Sequence, residues 1–171
     1  LVQVLREEEV FLAISMFHPY ALTHPSGTPI TAEEVKTNFA GDSLLLSKKG
    51  ASLRMIGDQF FDSCGFEPVA VCETNNISAT RSMVAQNAGV AFISESCSVN
   101  RNHIAYYPLS PAMKRLNLVV RQKDWVLNEP EQAFMDQILN YFKQNTVISV
   151  ILLSALKSQT FCRSRAGKYI Q

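Results

Sequence analysis

Apolar and polar segments alternate along the chain in a pattern that predicts strands separated by helices. Residues 10–16 (VFLAISM) form an apolar run rich in β-forming residues, and with the polar residues 6–9 before them they predict a buried strand. The prolines and the glycine of residues 19–29 predict a loop. Thr31, followed three residues later by Glu34, then predicts a capping box at the start of a short helix.

The same patterns predict more strands and helices in the rest of the chain. The strands lie at residues 43–46, 66–71, 90–93, 104–109 and 116–120. The helices lie at residues 53–64, from 77 to about 86, and from 129 to about 144. Ser52 is the predicted N-cap of the first of these helices, one residue of 74–76 caps the second, and Asn128 with Glu131 forms a capping box on the third. Gly65 is placed to end the first of them in the left-handed conformation.

This alternation of strands and helices predicts an α/β fold with a mostly parallel, doubly wound sheet. In such sheets a ligand lies beyond the carboxyl ends of the strands, where helix N-termini present free backbone N–H groups. Two loops lead from a predicted strand into a predicted helix, at residues 47–52 and 73–78. We therefore expect these two loops to border any binding site.

Composition narrows the classes of function. The chain has 171 residues, of which 47% are hydrophobic and 18% charged, which is typical of a globular protein and excludes disorder as its main state. Lys and Arg total 16 and Asp and Glu total 15, so the net charge is only +1. A charge this low gives no field that would hold a polyanion. We do not expect this chain to bind nucleic acid by itself.

No pattern of cysteine or histidine indicates a metal site, a cofactor or a disulfide framework. The four cysteines are far apart in sequence, and no histidine has a partner at metal-ligand spacing. Cys72 and Cys97, near strand ends, form the one pair compatible with redox sensing. The longest apolar run, residues 147–156, contains two serines and is about half the length of a membrane helix. These features favour a protein of the cytoplasm, with no membrane partner, no metal and no cofactor.

Several segments, in order, closely resemble the effector-binding domain of LysR-type transcriptional regulators. They are EEVFLAIS at residues 8–15, HPYA at 18–21, LLLS at 44–47, SLRMIGDQFFDSCGFEP at 52–68, VCETNN at 71–76 and MVAQNAGVAFI at 83–93. Each motif alone is degenerate, but their common order and intervals make chance similarity a poor explanation. The resemblance extends over about residues 5–144. Two positions depart from the usual family pattern, because Asn87 replaces a glycine and Ser94 replaces a proline.

The resemblance implies a type 2 periplasmic-binding-protein-like fold with two Rossmann-like lobes joined by crossover strands. Residues 18–114 would form lobe two, and residues 1–17 with 115–145 would be the remnant of an incomplete lobe one. The winged helix-turn-helix that precedes this domain in the family is absent from this chain, so DNA would be bound only through that absent part. A sheet that lacks strands would expose apolar surface. The tail at residues 146–171 has no counterpart in the family, as expected of a non-native or frameshifted extension.

The resemblance also implies a function and a set of binding residues. A small polar metabolite, such as a carboxylate or another anion, would bind between the two lobes. The protein would be a dimer or tetramer, and binding would control transcription. The implied effector-binding residues are Ser15, Met16, Ser47, Gly50, Ala51, Ser52, Thr74, Asn75 and Asn76. No residue is assigned a catalytic role. Two alternatives remain, a solute-binding protein of a transporter with the same fold, and a small α/β enzyme that would turn its ligand over.

Overall fold

Seven strands and five α-helices make up the part of the chain described by the computed structural model, which comprises residues 2–63, 65–98 and 103–144. The strands are β1 (Val2–Ser15), β2 (Ile30–Thr31), β3 (Leu44–Leu46), β4 (Ala70–Glu73), β5 (Val90–Ser94), β6 (Ile104–Ser110) and β7 (Lys114–Val120). The helices are α1 (Pro19–Thr23), α2 (Ala32–Phe39), α3 (Ser52–Asp62), α4 (Ile77–Ala85) and α5 (129–144), and a 3-10 turn spans Glu95–Cys97. The tail predicted at residues 146–171 lies outside the described residues.

The chain divides into a larger unit of residues 7–115 and a smaller unit that contains residues 1–6 and 116–171. The boundaries fall within β1 and at the second residue of β7, so both strands contribute to both units. The predicted lobes, 18–114 against 1–17 with 115–145, have their first boundary after β1, whereas the boundary between the two units lies within β1. The assignment of lobes therefore stays a prediction.

The strands form one mixed sheet in the order β2-β6-β1-β5-β3-β4, and β7 pairs with β1. β3 runs parallel to both β4 and β5, and β2 runs parallel to β6. The long strand β1 is antiparallel to β5, with Leu12 opposite Phe92, and also to β6. The prediction of a mostly parallel sheet is thus correct around β3 and wrong around β1. The parallel part is the part that brings the carboxyl ends of three strands to one edge.

Both faces of the larger unit's sheet are covered by helices. In β3, the alternate residues Leu44 and Leu46 pack in one buried cluster with Phe39, Phe60 and other residues of α2 and α3. Leu45, between them, packs in a second cluster with residues of α4. This burial on both faces explains why β3 and β5 are apolar at nearly every position rather than at every second one.

Local capping signals were predicted correctly at several helix ends. Thr31 Oγ1 accepts a hydrogen bond from the Glu34 N–H at 3.2 Å, and the Thr31 N–H donates to Glu34 Oε2 at 2.8 Å, which completes the capping box. The Glu34 carboxylate accepts from the Thr31 N–H and also from the Thr31 hydroxyl at 2.7 Å, and these two hydrogen bonds, the backbone one first, lower the pKa of the Glu34 carboxyl. Asn128 and Glu131 make the corresponding reciprocal pair before α5. Gly65 takes a positive φ of 62°, as its predicted role as a helix stop requires.

Predictions about local structure are wrong at several places, and the strand predicted at residues 66–71 is one of them, because β4 spans Ala70–Glu73. Residues 19–29 are not a loop throughout, because α1 begins at Pro19, a position where proline costs no hydrogen bond. The His18 ring caps this helix by accepting from the Tyr20 N–H at 3.2 Å, so this histidine has a structural role. The first strand begins at Val2 rather than at Val10, and the polar residues before Val10 belong to it. One of those polar residues, Glu8, is buried, as described below.

The smaller unit exposes apolar side chains on its strand segments and on α5. The exposed residues are Val2 and Val4 of β1, Leu116, Leu118 and Val120 of β7, and Phe134 and Tyr141 of α5. In β7, exposed residues alternate with half-buried ones along the whole strand. The alternation along β7 therefore matches the predicted strand. The apolar side chains on its exposed face are not covered by the described residues.

Two adjacent tyrosines offer a matched test of buried hydroxyl groups. The Tyr107 hydroxyl donates to the His24 carbonyl at 2.7 Å, and burial raises its pKa, so it stays protonated at neutral pH. The Tyr106 hydroxyl is also buried but has no hydrogen-bond partner among the described residues. We expect Tyr107→Phe to lower the free energy of unfolding by about 1 to 2 kcal/mol, and Tyr106→Phe to leave it unchanged or raise it. Urea denaturation of both variants measures the difference, and equal losses would contradict the assignment.

Candidate functional site

A cavity of about 270 Å³ opens in the larger unit where β3, β4 and β5 end. Its lining consists of hydroxyl, amide, guanidinium, thiol and apolar groups: Leu45, Ser47, Ala51, Ser52, Leu53, Thr74, Asn75, Ile77, Thr80, Phe92, Ser94, Cys97 and Arg115. These residues come from the three strand ends, from the first turns of α3 and α4, and from the start of β7. The lining contains no carboxylate and no imidazole, so it holds no general acid or base of those types.

The loop between β3 and α3 leaves a helix start without a side-chain cap. Ala51 is the N-cap, and no side chain bonds to the free N–H groups of the first turn. The prediction that Ser52 is the N-cap is therefore wrong, because the chain turns one residue earlier and Ser52 becomes the first helical residue. Gly50, with a φ of 87°, supplies the left-handed conformation that this turn needs. Ala51, Ser52 and Leu53, at this uncapped helix start, all line the cavity.

The loop between β4 and α4, unlike the loop before α3, has a side-chain cap and hydrogen bonds to its neighbours. Asn76 caps α4 by accepting from the Ala79 N–H at 3.0 Å, which confirms that one residue of 74–76 is a cap. Asn75 Oδ1 accepts from the Lys48 N–H at 3.0 Å, and the Thr74 N–H donates to the Leu46 carbonyl at 2.9 Å. One direct hydrogen bond, from Lys48 to Asn75, thus joins the two predicted loops, and a second ties the later loop to the end of β3.

A salt bridge also links the two loops. The Arg54 guanidinium donates to Glu73 at 2.6 Å, to Asp58 at 2.8 Å and to the Ser47 carbonyl at 3.3 Å. The hydrogen bond with Glu73, and then that with Asp58, raises the pKa of Arg54 above its ordinary value. Its charge is balanced by these two carboxylates, so we assign Arg54 a role in positioning Ser47 and Glu73 rather than in binding a ligand.

Arg115, which lines the cavity, forms an ion pair with a buried carboxylate. The Glu8 side chain is only 3% exposed, and one of its oxygens accepts from Arg115 Nη2 at 3.0 Å. The Ser96 hydroxyl donates to the same oxygen at 3.1 Å. Ser94, at the end of β5, is fully buried, and Val10 of β1 lies opposite it in the sheet.

The structure brings together five of the nine predicted site residues. Ser47, Ala51, Ser52, Thr74 and Asn75 all line the one cavity. Gly50 and Asn76 lie in the same two loops without lining it, and they shape the backbone as described above.

Ser15 and Met16 lie elsewhere in the larger unit. Met16 borders a separate cavity of about 200 Å³ with Ala21, Ser26, Ile104 and Ala105. Ser15 is buried, and its hydroxyl accepts from the Phe17 N–H at 3.2 Å. The role of these two residues in binding stays a prediction.

Ser94 and Arg115 line the cavity without having been among the predicted site residues. The sequence marks Ser94 only by its replacement of a proline that is usual in the family, and it gives Arg115 no distinguishing signal. The partner that orients Arg115 is Glu8, 107 residues away in sequence, so no local pattern relates them. Cys97 lines the cavity and Cys72 does not, and both are half-buried free thiols.

The described part of the chain shows neither a metal site nor a membrane span. Among residues 2–63, 65–98 and 103–144, no three or more His, Cys, Asp or Glu side chains are grouped so that they could hold a metal ion. In the same residues, no helix has the length and apolar character needed to cross a bilayer.

Comparison with known proteins identifies one family. Residues 1–143 match the family model described as the LysR substrate binding domain. A curated relative, the uncharacterized HTH-type transcriptional regulator YybE of Bacillus subtilis (strain 168), is 25% identical over 141 residues. That match covers 82% of this chain and 46% of the relative, so the chain spans about half the length of the curated protein that it matches.

Solved structures show the same fold. The regulatory domain of CcmR from Synechocystis PCC6803, in complex with 2-PG, matches with a TM-score of 0.68 at 19% identity, over 84% of this chain and 67% of that one. The effector binding domain of QuiR, in complex with shikimate, matches with a TM-score of 0.68 at 18% identity, over 84% of this chain and 66% of that one. These structures are less than 25% identical to the chain, so they show its fold, which is the fold that the sequence resemblance implies.

Proposed function

The chain belongs to the LysR substrate-binding domain family, and from this premise we propose that its cavity at the ends of β3, β4 and β5 binds a small polar effector. The observation that carries the proposal is the convergence of the two loops, which are far apart in sequence, on one cavity of about 270 Å³. A volume near the lower end of the range for ligand pockets suits a metabolite rather than a peptide. The five predicted residues that line it supply three hydroxyl groups and one amide for its recognition.

The lining suits the binding of a polar ligand. Its polar groups donate and accept hydrogen bonds, but no carboxylate or imidazole is present to move a proton. Two structural neighbours are complexes with small molecules, 2-PG in one and shikimate in the other. These complexes support effector binding as the general role, without identifying the effector of this chain.

In the whole protein, we propose that effector binding controls transcription. The curated relative is a transcriptional regulator of the HTH type about twice as long as the matched region. DNA would be bound by a helix-turn-helix outside this chain, in a dimer or tetramer that works in the cytoplasm. The effector can shift such an assembly only as far as its affinities for the two states of the assembly differ.

The two alternatives make different predictions for the same cavity. A solute-binding protein would bind a ligand equally well but would function with a transporter, and the match to a transcriptional regulator favours the first proposal. A small enzyme would convert its ligand into product. Incubation of purified protein with a bound ligand, followed by mass spectrometry, separates saturable binding from turnover.

We expect Ser52→Trp to abolish effector binding while the fold survives. Ser52 is exposed at the first turn of α3, so an indole there fills the cavity without entering the core. A panel of small polar metabolites that includes shikimate is first screened by thermal unfolding, where a ligand at 100 times its Kd stabilises by about 2.7 kcal/mol. Calorimetry then compares the best ligand on both proteins.

Ser63→Trp is the matched control for this substitution. Ser63 is exposed at the other end of α3, so the same exchange leaves the cavity unchanged. We expect Ser63→Trp to bind the ligand as the unmodified chain does. A folded Ser52→Trp protein with unchanged affinity would place the binding site elsewhere.

A further inference from the structure

Two buried polar atoms on one side of the cavity have no hydrogen-bond partner. They are Ser94 Oγ and Arg115 Nε, and neither has a partner among the residues that the structure describes. Ser94 and Arg115 both line the cavity. Leaving a buried donor unsatisfied is costly, so native structures pair such groups with protein, water or ligand. Two such atoms belong to residues of one cavity lining, so a ligand bound there, like a water molecule, has unsatisfied groups beside it to bond.

The chemistry of the two atoms defines what the ligand must present. Arg115 Nε carries one hydrogen and can only donate. The Ser94 hydroxyl can donate or accept, but a neighbour that satisfies both residues must be an acceptor. The missing partner is therefore an oxygen with free lone pairs.

The arginine is held in place by contacts that do not involve this nitrogen. Arg115 Nη2 donates to buried Glu8 at 3.0 Å, and the Ser96 hydroxyl donates to the same carboxylate. This pair fixes the plane of the guanidinium before a ligand arrives. It also balances the charge of Arg115, so an incoming anion gains less from that charge than it would at an unpaired arginine.

The rest of the lining favours a negative ligand. It contains no carboxylate, and the first turn of α3 presents N–H groups that no side chain caps. The N-terminus of a helix carries a partial positive charge that stabilises anions. The nearest negative group that we identify on this side, Glu8, is already bound by Arg115 and Ser96.

We propose that Ser94 and Arg115 form a carboxylate-binding subsite, in which one carboxylate oxygen of the effector accepts hydrogen bonds from Arg115 Nε and Ser94 Oγ. The proposal rests on the proposed function, because it names the chemical class of ligand for the same cavity. It makes Ser94, which replaces the proline usual in the family, a determinant of specificity. The effector is then a small carboxylic acid in its ionised form.

The test uses acetate and acetamide as probes, because the two differ in charge but hardly in shape. Purified full-length chain labelled with ¹⁵N is titrated with each probe at constant ionic strength, and the Arg115 Nε–H and Ser94 amide signals are followed by NMR. We expect saturable shifts of both signals with acetate, and an affinity for acetamide at least about fivefold weaker, because hydrogen bonds to charged groups are the stronger ones.

Two variants test the assignment to these atoms. Ser94→Ala removes a hydroxyl that has no partner in the protein, so we expect the fold to persist and the acetate affinity to fall by about fivefold. Arg115→Lys keeps a positive charge beside Glu8 but lacks the second donor, and we expect a similar or larger loss. Thr37→Ala, exposed on α2 and remote from the cavity lining, is the control with unchanged affinity. If Arg115→Lys fails to fold, Ser94→Ala decides alone.

Three results would overturn the subsite. They are acetamide binding as tightly as acetate, acetate shifting only signals outside the cavity, and Ser94→Ala binding acetate as the unmodified chain does. The proposed function is judged separately by the metabolite screen and by Ser52→Trp. An uncharged metabolite bound in the cavity would leave effector binding intact and refute the carboxylate class.

Discussion

Phe61→Ala is expected to lower the free energy of unfolding by about 3 to 5 kcal/mol, as large-to-small substitutions of buried aromatic residues do. Phe61 is 1% exposed, and its ring lies 5.2 Å from that of Phe92 and 5.4 Å from that of Phe66, measured between centroids. The substitution leaves a cavity between α3 and the sheet, because backbone elements on both sides limit collapse. Urea denaturation followed by circular dichroism gives the change, with the slope checked for two-state behaviour.

The matched control is Phe17→Ala. Phe17 is 64% exposed, and its ring stacks on that of His103 at 5.8 Å, so the same exchange removes little buried area. We expect a loss of less than about 1 kcal/mol for this variant. Similar losses for the two phenylalanines would mean that the cluster around Phe61 is not the main core of the larger unit.

Features that depend on neighbouring residues in the sequence could be predicted. Thr31 with Glu34, and Asn128 with Glu131, are three residues apart, so the chain itself brings each pair together. The apolar run at residues 90–93 is buried on both faces, as a strand inside a parallel sheet must be. The two loops that border the cavity could also be predicted, because each leaves a parallel strand and enters a helix, although β4, unlike β3, is mostly exposed.

Features that depend on distant residues could not be predicted. Glu8 was assigned to a polar segment because three acidic residues follow one another there, yet it lies inside the protein, opposite Arg115. A buried carboxylate and an exposed one have the same sequence signature when the partner is 107 residues away. The antiparallel arrangement of β1 depends in the same way on contacts with β5 and β6 that no short pattern encodes.

At the cavity, the start of α3 differs by one residue from the start that the sequence predicts. Ser52 has a side chain suited to an N-cap, but the helix begins at Ser52 with Ala51 as its cap, so the hydroxyl is free to face the cavity. Propensity favours serine over alanine as a cap by about 1 kcal/mol, and the turn around Gly50 outweighs that preference here. Such local exceptions are expected where a binding site uses the groups that a cap would otherwise occupy.

Gly89→Ala is the second substitution with a large expected effect, and its cause is steric. A Cβ atom at Gly89 would lie 2.4 Å from the Ser43 carbonyl oxygen and 3.2 Å from the Leu45 side chain. Because the first contact is with backbone, no rotamer change can relieve it, and β3 or β5 has to shift. The φ of 157° is also one that side-chain-bearing residues rarely adopt. We expect a loss of about 3 kcal/mol or more in the free energy of unfolding, from overpacking and backbone strain together.

Gly41→Ala separates this steric cause from the general effect of removing a glycine. An alanine Cβ at Gly41 would meet no atom within 4 Å, and its φ is not in the left-handed region. There the exchange reduces the entropy of the unfolded chain, so we expect stability to be unchanged or to rise by about 0.4 to 1 kcal/mol. Val90, which follows Gly89 and begins β5, pairs with Leu44, which begins β3. Gly89→Ala should therefore displace β3 relative to β5 and, because both strands lead to the cavity, also weaken effector binding. A Gly89→Ala protein with the stability of the Gly41→Ala variant would show that the strands can separate there without cost.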